Sequence, residues 1–495
     1  MLKKSVTILL FIALIFKLIP VEAAEVPITT FPLDKYNQDI NYWINPQDPD
    51  YNKPLIERTK QKKQLKEYYK HYYASDAKAL SPWSRKYLEK TFKGGLGESV
   101  NEQKLIKKYG NAAKNPEKAG YAENFRPYDD KWIEKIIFNI NPKQFNFAPL
   151  TPSQTAKSPT KFKYRASNRG IAVKNLFARS LPTNEPYFYN FTRPGQGYPF
   201  DDLQESAVWV GTPVYIVGKT RDNQWYLVAT SSFIAWVESD GVAKVSKNFV
   251  ATWQKYAKQK MVAITKTNLS VFDINKQYRF NTYVGTVFPG KKINKHTISV
   301  LIPFADKNHN ARVTFANISK KDAALMPLRA TPHNFVKVMS TLLGRPYGWG
   351  NMYFYNDCSA EFQNLYTPFG IWLPRNSSAQ AKSRAMIDLS SLSMKERIKQ
   401  LQEKGKKFTT LVYIGGHIVM YIGTYPNPNS ETHELIAYTY QTIWGLKPAD
   451  KSFRAVIGQT VLLPMLEQYP EDYRLNSQAN QEYFRLIDID EPLLN

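Results

Sequence analysis

From about residue 165 to 325 the sequence is cut into short runs rich in β-branched and aromatic residues. AVWVGTPVYIVGKT, QWYLVATSS, FIAWV, MVAITKTNLSVFDI, TYVGTVFPGKKI, TISVLIPFA and ARVTFANI are the clearest of them. Polar or Gly-containing turns separate the runs, so none can extend into a long helix. Many short strands at this spacing fold into small β-barrels. The stretch of about 160 residues accommodates two, dividing near 245–260. The predicted barrels are 165–245 and 246–326.

The flanks read differently. Lys3 and Lys4, the apolar run Ser5–Phe16 and the small residues around Ala23 and Ala24 have the layout of a secretory signal, predicted at 1–23. Lys17 interrupts the run before the roughly 20 apolar residues that a membrane span needs. The chain is therefore expected to be exported, to the periplasm or beyond, without a stable membrane span. Residues 25–150 open on a Pro/Asn/Asp-rich segment and continue into helical stretches. ERTKQKKQLKEYYKHYYA places Leu65, Tyr68, Tyr69 and Tyr72 at helical spacing, and Ser81-Pro82 is expected to start a second helix. TPSQTAKSPTKFKY, 151–164, reads as a linker. From 328 to 495 helical segments come first and strands follow, which predicts an α+β domain. The expected fold class is thus multidomain: a mainly helical N-terminal region, two small β-barrels and an α+β C-terminal domain.

Formal charge is +25, from 67 Lys and Arg against 42 Asp and Glu. Such a surface concentrates near polyanions, which for an exported chain means wall polymers, peptide carboxylates or lipid headgroups. High lysine content also serves solubility. Nucleic acid is not expected as a partner: no nucleic-acid motif is present and the lysines are spread out.

Cys358 is the only cysteine. That rules out an internal disulfide and cysteine-rich metal sites, and no metal or organic cofactor is expected. In DCSAEFQNLY, Phe362, Leu365 and Tyr366 share one helical face, Asp357 or Asn356 can cap the start, and Pro368 ends the run. Cys358 then falls in the first turn, where the helix dipole favours the thiolate and the Asp357 charge opposes it. Among six histidines His417 has the best context for a base, between Gly415-Gly416 and the apolar strand IVMYIG. A helix-borne Cys and a strand-borne His fit a papain-like arrangement. An orienting residue comes from Gln441 or His433; Gln441 is preferred because it lies inside an apolar run, where a buried amide needs a partner. Taken singly, a lone buried Cys is more often inert, and a His at a strand start more often structural.

YGWGNMYFYNDCSAEF, LPRNSSAQ, GGHIVMYIG and YQTIWGL, taken in order, resemble the NlpC-type cell-wall cysteine peptidases. The likeness is to members with an N-terminal clip and two bacterial SH3-like barrels, with Trp225 and Trp236 at landmark positions of the first barrel. It implies a papain-like fold and a triad of Cys358, His417 and Gln441. The implied reaction is hydrolysis of the γ-D-glutamyl bond to a diamino acid, often meso-diaminopimelate, in peptidoglycan stem peptides with a free N-terminal L-Ala. Tyr347, Asp357, Ser359 and Ser377 match the family's substrate contacts, with Glu205 of the first barrel as a further acid. On this reading Asp357 would pair with the substrate ammonium. The partner is the stem peptide and the chain acts as a monomer. Ala360 and Asn351 stand where relatives carry Gly, and Gln441 where many carry His. The rival readings are a wall-binding protein with an idle site, and an acyltransferase using the same thioester.

Overall fold

Strands Gln204–Val208, Leu176–Arg179, Ile234–Glu238, Trp225–Ala229, Pro213–Lys219, Arg169–Ala172 and Val242–Lys244 lie side by side in that order, every pair antiparallel. They belong to a computed structural model that describes residues 28–494 except 94, 96–101, 111–118, 141–144, 146–161, 194, 428–429, 432–433, 451–453 and 471–473. The expected signal and most of the expected linker lie outside the described residues. In the run PVYIVG, Val214 and Ile216 pack with Val228, Ala235 and Val237, while Tyr215 and Val217 pack with Leu227 and Trp236. The second group is completed by Leu88, Phe92, Ile133 and Ile136 of the N-terminal helices. Both faces of the sheet are covered, which is why its central strand is apolar without alternation.

Helix Lys247–Gln259 leads into the second β unit, with Ser246 capping it through the Phe249 N–H. Five antiparallel strands follow in the order Ala311–Ser319, Thr297–Ala305, Val287–Ile293, Met261–Ile264 and Ala323–Leu325, with a hairpin Leu269–Phe272/Tyr278–Thr282 laid beside them.

The C-terminal domain holds a seven-stranded sheet: Ile28–Thr30, Arg454–Pro464, Leu435–Leu446, Ile418–Pro426, Thr410–Tyr413, Arg485–Asp488 and Met386–Asp388. Helix Cys358–Tyr366 lies across it, burying Phe362, Leu365 and Tyr366 against Ile418, Met420, Tyr438 and Tyr440. The chain is thus a multidomain protein with an N-terminal helical region, an SH3-like β domain and an α+β C-terminal domain.

Two features differ from the sequence reading. The N-terminal region is not separate from the C-terminal domain. Its strand Ile28–Thr30 pairs in parallel with Arg454–Val456, and Trp43 packs on Tyr438 with ring centroids 3.8 Å apart. The second N-terminal helix also begins later, at Arg85, with Ser84 as its cap. Ser81 instead closes a turn onto the Ala74 carbonyl and accepts the Ser84 N–H, because buried Trp83 needs that bend to reach the Gly170 carbonyl at 2.9 Å.

Candidate active site

The loop from Tyr347 to Asn356 sets up the cleft. Gly350, Asn351, Tyr353 and Phe354 all adopt positive φ, between 54° and 61°. Asn is among the non-glycine residues that tolerate this region best, so Asn351 replaces a glycine at little cost. Its side chain also holds the bend, donating to the Tyr355 carbonyl at 3.1 Å and to Asn356 Oδ1 at 3.0 Å. Asp357 then caps the helix, accepting from Ser359 N and Ala360 N at 3.1 and 2.8 Å. Cys358 is the first helical residue. Its own N–H has no acceptor among the described residues, as the first turn of a helix leaves it.

His417 is delivered by a tight turn. Gly415 and Gly416 lie at φ 73° and 80° between strands Thr410–Tyr413 and Ile418–Pro426, a conformation that Gly adopts without strain. The Cys358 thiol points to the Gly416 carbonyl, 3.9 Å from Sγ, and the Ile418 N–H points back to the sulfur. The sulfur therefore sits against the segment that carries His417. The imidazole Nε2 is 2.9 Å from Gln441 Oε1. Gln441 is fully buried, and its Nε2 donates to Thr439 Oγ1 at 2.9 Å and to Gln478 Oε1 at 3.1 Å. Gln478 Nε2 returns a bond to Gln441 Oε1 at 2.7 Å. With its amide nitrogen so engaged, Gln441 presents oxygen to the ring. His417 then carries its proton on Nε2, leaving Nδ1 as the free base. Of the two candidate orienters Gln441 makes the contact; His433 lies outside the described residues.

Cys358, His417, Tyr347, Asp357, Ser359, Ser377 and Glu205 all line one cavity of about 400 Å³, together with Trp349, Arg375 and Trp444. Gln204 and Glu205 bring the first β unit into its wall. Gln204 Nε2 donates to the Gly350 carbonyl at 2.8 Å, and Trp349 Nε1 donates to the Asp201 carbonyl at 3.1 Å. Phe200 packs edge-on against Trp349 and Trp444, at 5.2 and 5.8 Å between centroids. Tyr347 is pushed well above the ordinary phenol range, first by burial and then by its neighbours Cys358 and Asp357, so it keeps its O–H.

The electrostatics add two things to the sequence reading. Burial, followed by the Asp357 charge, pushes the Cys358 thiol up to about 12. The helix N-terminus is outweighed, and the resting sulfur is protonated. Burial likewise lowers His417 below its ordinary value, against opposing pulls from Gln441 and Asp357, so the resting imidazole is neutral. The second concerns Asp357. Its two oxygens already accept from Gly350 N, Ser359 N, Ser359 Oγ, Ala360 N and both terminal nitrogens of Arg375. Its charge is shared with the buried Arg375 guanidinium, while the residue still lines the cavity. Of the two carboxylates lining the cavity, Glu205 is the exposed one, accepting from Ser180 Oγ at 2.5 Å. Arg375 and Gln478 were not singled out in the sequence. Arg375 stood inside the LPRNSSAQ motif, whereas nothing local marks Gln478.

Comparisons with known proteins match three segments of the chain. The NlpC/P60 family profile matches residues 344–445, the SH3 domain (SH3b1 type) profile 186–238, and the NLPC_P60 stabilising domain, N term, profile 7–145. A solved NlpC/P60 endopeptidase from Photobacterium damselae subsp. piscicida is 27% identical with a TM-score of 0.73, covering 94% of this chain and 99% of that one. An NlpC/P60 family protein from Bacillus cereus ATCC 10987 is 15% identical with a TM-score of 0.38, covering 56% of this chain and 81% of that one. No curated protein matches the chain. The segment that carries Cys358, His417 and Gln441 is thus an NlpC/P60 domain, preceded in the chain by the stabilising and SH3 domains that the other two profiles describe.

Proposed function

We propose that the chain is an exported peptidoglycan hydrolase that cuts the γ-D-glutamyl bond to the diamino acid of stem peptides with a free N-terminal L-Ala. Export rests on the signal-like residues 1–23; no helix among the described residues is long and apolar enough to cross a membrane. The observation that carries the reading is the bond from His417 to Gln441 Oε1, which leaves Nδ1 unprotonated beside the segment that touches Cys358.

The catalytic step follows from two neutral partners. His417 Nδ1 takes the Cys358 proton as the sulfur bonds to the γ-carbonyl carbon, because neither a free thiolate nor an imidazolium is stable in the buried resting site. The tetrahedral oxyanion is met by the unengaged Cys358 N–H. His417 returns the proton to the leaving amine as the C–N bond breaks, giving a thioester on Cys358. Water, activated by the same Nδ1, then releases the glutamate γ-carboxylate and restores the thiol. Glu205 receives the substrate ammonium, with Tyr347 O–H and Ser377 adding hydrogen bonds. Ser359 is occupied by Asp357 and Arg375 and acts by shaping the pocket.

Digestion of purified stem peptides followed by mass spectrometry tests this. The expected products are L-Ala-γ-D-Glu and the peptide beginning at the diamino acid, absent with Cys358→Ala. Equal cleavage by Cys358→Ala would remove the assignment.

A further inference from the structure

The second β unit carries charge that the cleft does not use: none of its described residues lines the catalytic cavity. Residues 246–326 hold 14 Lys and Arg against three Asp and no Glu, so nearly half of the chain's excess charge lies in one sixth of its length. All three carboxylates are engaged within the unit. Asp273 pairs with Arg279 at 2.5 Å, Asp306 with Arg312 at 2.9 Å, and Asp322 with Lys266 at 3.8 Å. Lys276, Lys291, Lys292 and Lys295 are exposed and form no ion pair among the described residues.

Apolar side chains stand exposed among these lysines. Phe272, Ile274 and Tyr278 are 51%, 57% and 56% exposed at one hairpin tip, and Ile293 is exposed at the next. Phe315 links the first tip to the strand that leads into the second. The Ile274 N–H donates to the Phe315 carbonyl at 2.9 Å, and Lys291 Nζ lies 3.8 Å from the centre of the Phe315 ring. A soluble polyanion would neutralise the lysines and leave the aliphatic tips in water. A headgroup layer satisfies both, because the tips enter the acyl boundary while the lysines stay with the phosphates.

We propose that this face of the second β unit binds an anionic lipid surface and holds the enzyme against it. The site needs no helix or anchor, since the tips protrude from a rigid sheet.

Sedimentation of the full chain with vesicles tests this, comparing phosphatidylcholine alone with phosphatidylcholine containing about 30% phosphatidylglycerol. Binding is expected only to the anionic vesicles. Each lysine removed should weaken partitioning about five-fold, so Lys291→Gln/Lys292→Gln/Lys295→Gln should weaken it about a hundred-fold. Phe272→Ser/Ile274→Ser should weaken it at least ten-fold with every lysine in place. Ile274→Ser alone, at an open position, should weaken it in the same direction and guards against misfolding of the double variant. Failure of the parent to bind anionic vesicles overturns the proposal. So does binding of both apolar variants to the anionic vesicles at parental strength, since the surface is then recognised by charge alone.

Discussion

Asp357 and Arg375 face each other with both ends engaged, Nη1 to Oδ1 at 3.1 Å and Nη2 to Oδ2 at 2.6 Å, beneath the nucleophile. Both side chains are at least nine-tenths buried. Removing one partner leaves a charge with no solvent to receive it, so Arg375→Ala is expected to lower stability by about 3–5 kcal/mol. Asp357→Asn retains a capping side chain and isolates the loss of charge. Urea denaturation reads both, and an Arg375→Ala loss below about 1 kcal/mol would show the pair to be dispensable. Burial pushes the Asp357 carboxyl up, but Arg375 and the cap donors bring it below its ordinary value. Its stabilising contribution is therefore complete above the ordinary Asp range and is lost as pH falls through the lower, folded value.

Gln441 should act through orientation alone. It carries no charge, and its amide is fixed by Thr439 and Gln478. Gln441→Ala is expected to lower kcat by about 10²-fold, the scale of losing the geometry of a base, with KM little changed. Gln478→Ala removes one of the two bonds that keep the amide nitrogen away from the ring and should lower kcat in the same direction by less. Gln441→Glu should raise the His417 pKa and move the acid limb of kcat/KM upward. If that limb stays in place, Gln441 is not the residue facing the imidazole.

The thiol gives a pH signature. Iodoacetamide reacts with the thiolate, so alkylation of the folded chain should be slow at pH 7 and keep rising well past the ordinary thiol value near 8.5, toward 12. Asp357→Asn should move the rise to lower pH, because the carboxylate charge is the second cause of the shift. On the acid side, His417 is lowered, so kcat/KM should persist below pH 6.5 and fall only at the depressed folded value. The stability signs are opposite for the two groups. The raised Cys358 favours folding below the unfolded thiol value, an effect lost as pH rises toward 12. The lowered His417 costs stability as pH falls below 6.5, where the unfolded imidazole gains a proton first. A thiol inflection near 8.5 in the folded chain would contradict this account.

The parts of the site legible in the sequence are those whose chemistry is local. Asp357 as a helix cap, Gly415-Gly416 as a turn and Gln441 as a buried amide each follow from neighbours within a few residues. The family resemblance supplied their order. Arg375 and Gln478 were not legible because they act across 18 and 37 residues, on partners that only the folded sheet brings near. The thiol's direction stays open in the sequence for a related reason. A helix N-terminus is visible in DCSAEF, whereas the burial that outweighs it depends on Trp349, Trp444 and the first β unit closing over the cleft. The parallel strand Ile28–Thr30 is not legible in the sequence because three residues carry no periodicity.

Gly350 joins the first β unit to the cleft and makes the tightest prediction. Its φ is +55°, its N–H donates to Asp357 Oδ2 at 3.1 Å, and its carbonyl accepts from Gln204 Nε2 at 2.8 Å. A Cβ there would lie 2.2 Å from the Gln204 carbonyl oxygen, which is backbone and cannot swing aside. Gly350→Ala therefore adds a collision to the roughly 1–3 kcal/mol of conformational strain. Gly344→Ala is the control, since Gly344 also has positive φ, +75°, but its Cβ would meet nothing within 4 Å. Both variants should lower Tm, Gly350→Ala by more. Only Gly350→Ala should also lower kcat/KM, by moving Glu205 and the first β unit off the cavity. Equal losses in the two variants would mean that the close approach of Gln204 to Gly350 does not shape the cleft.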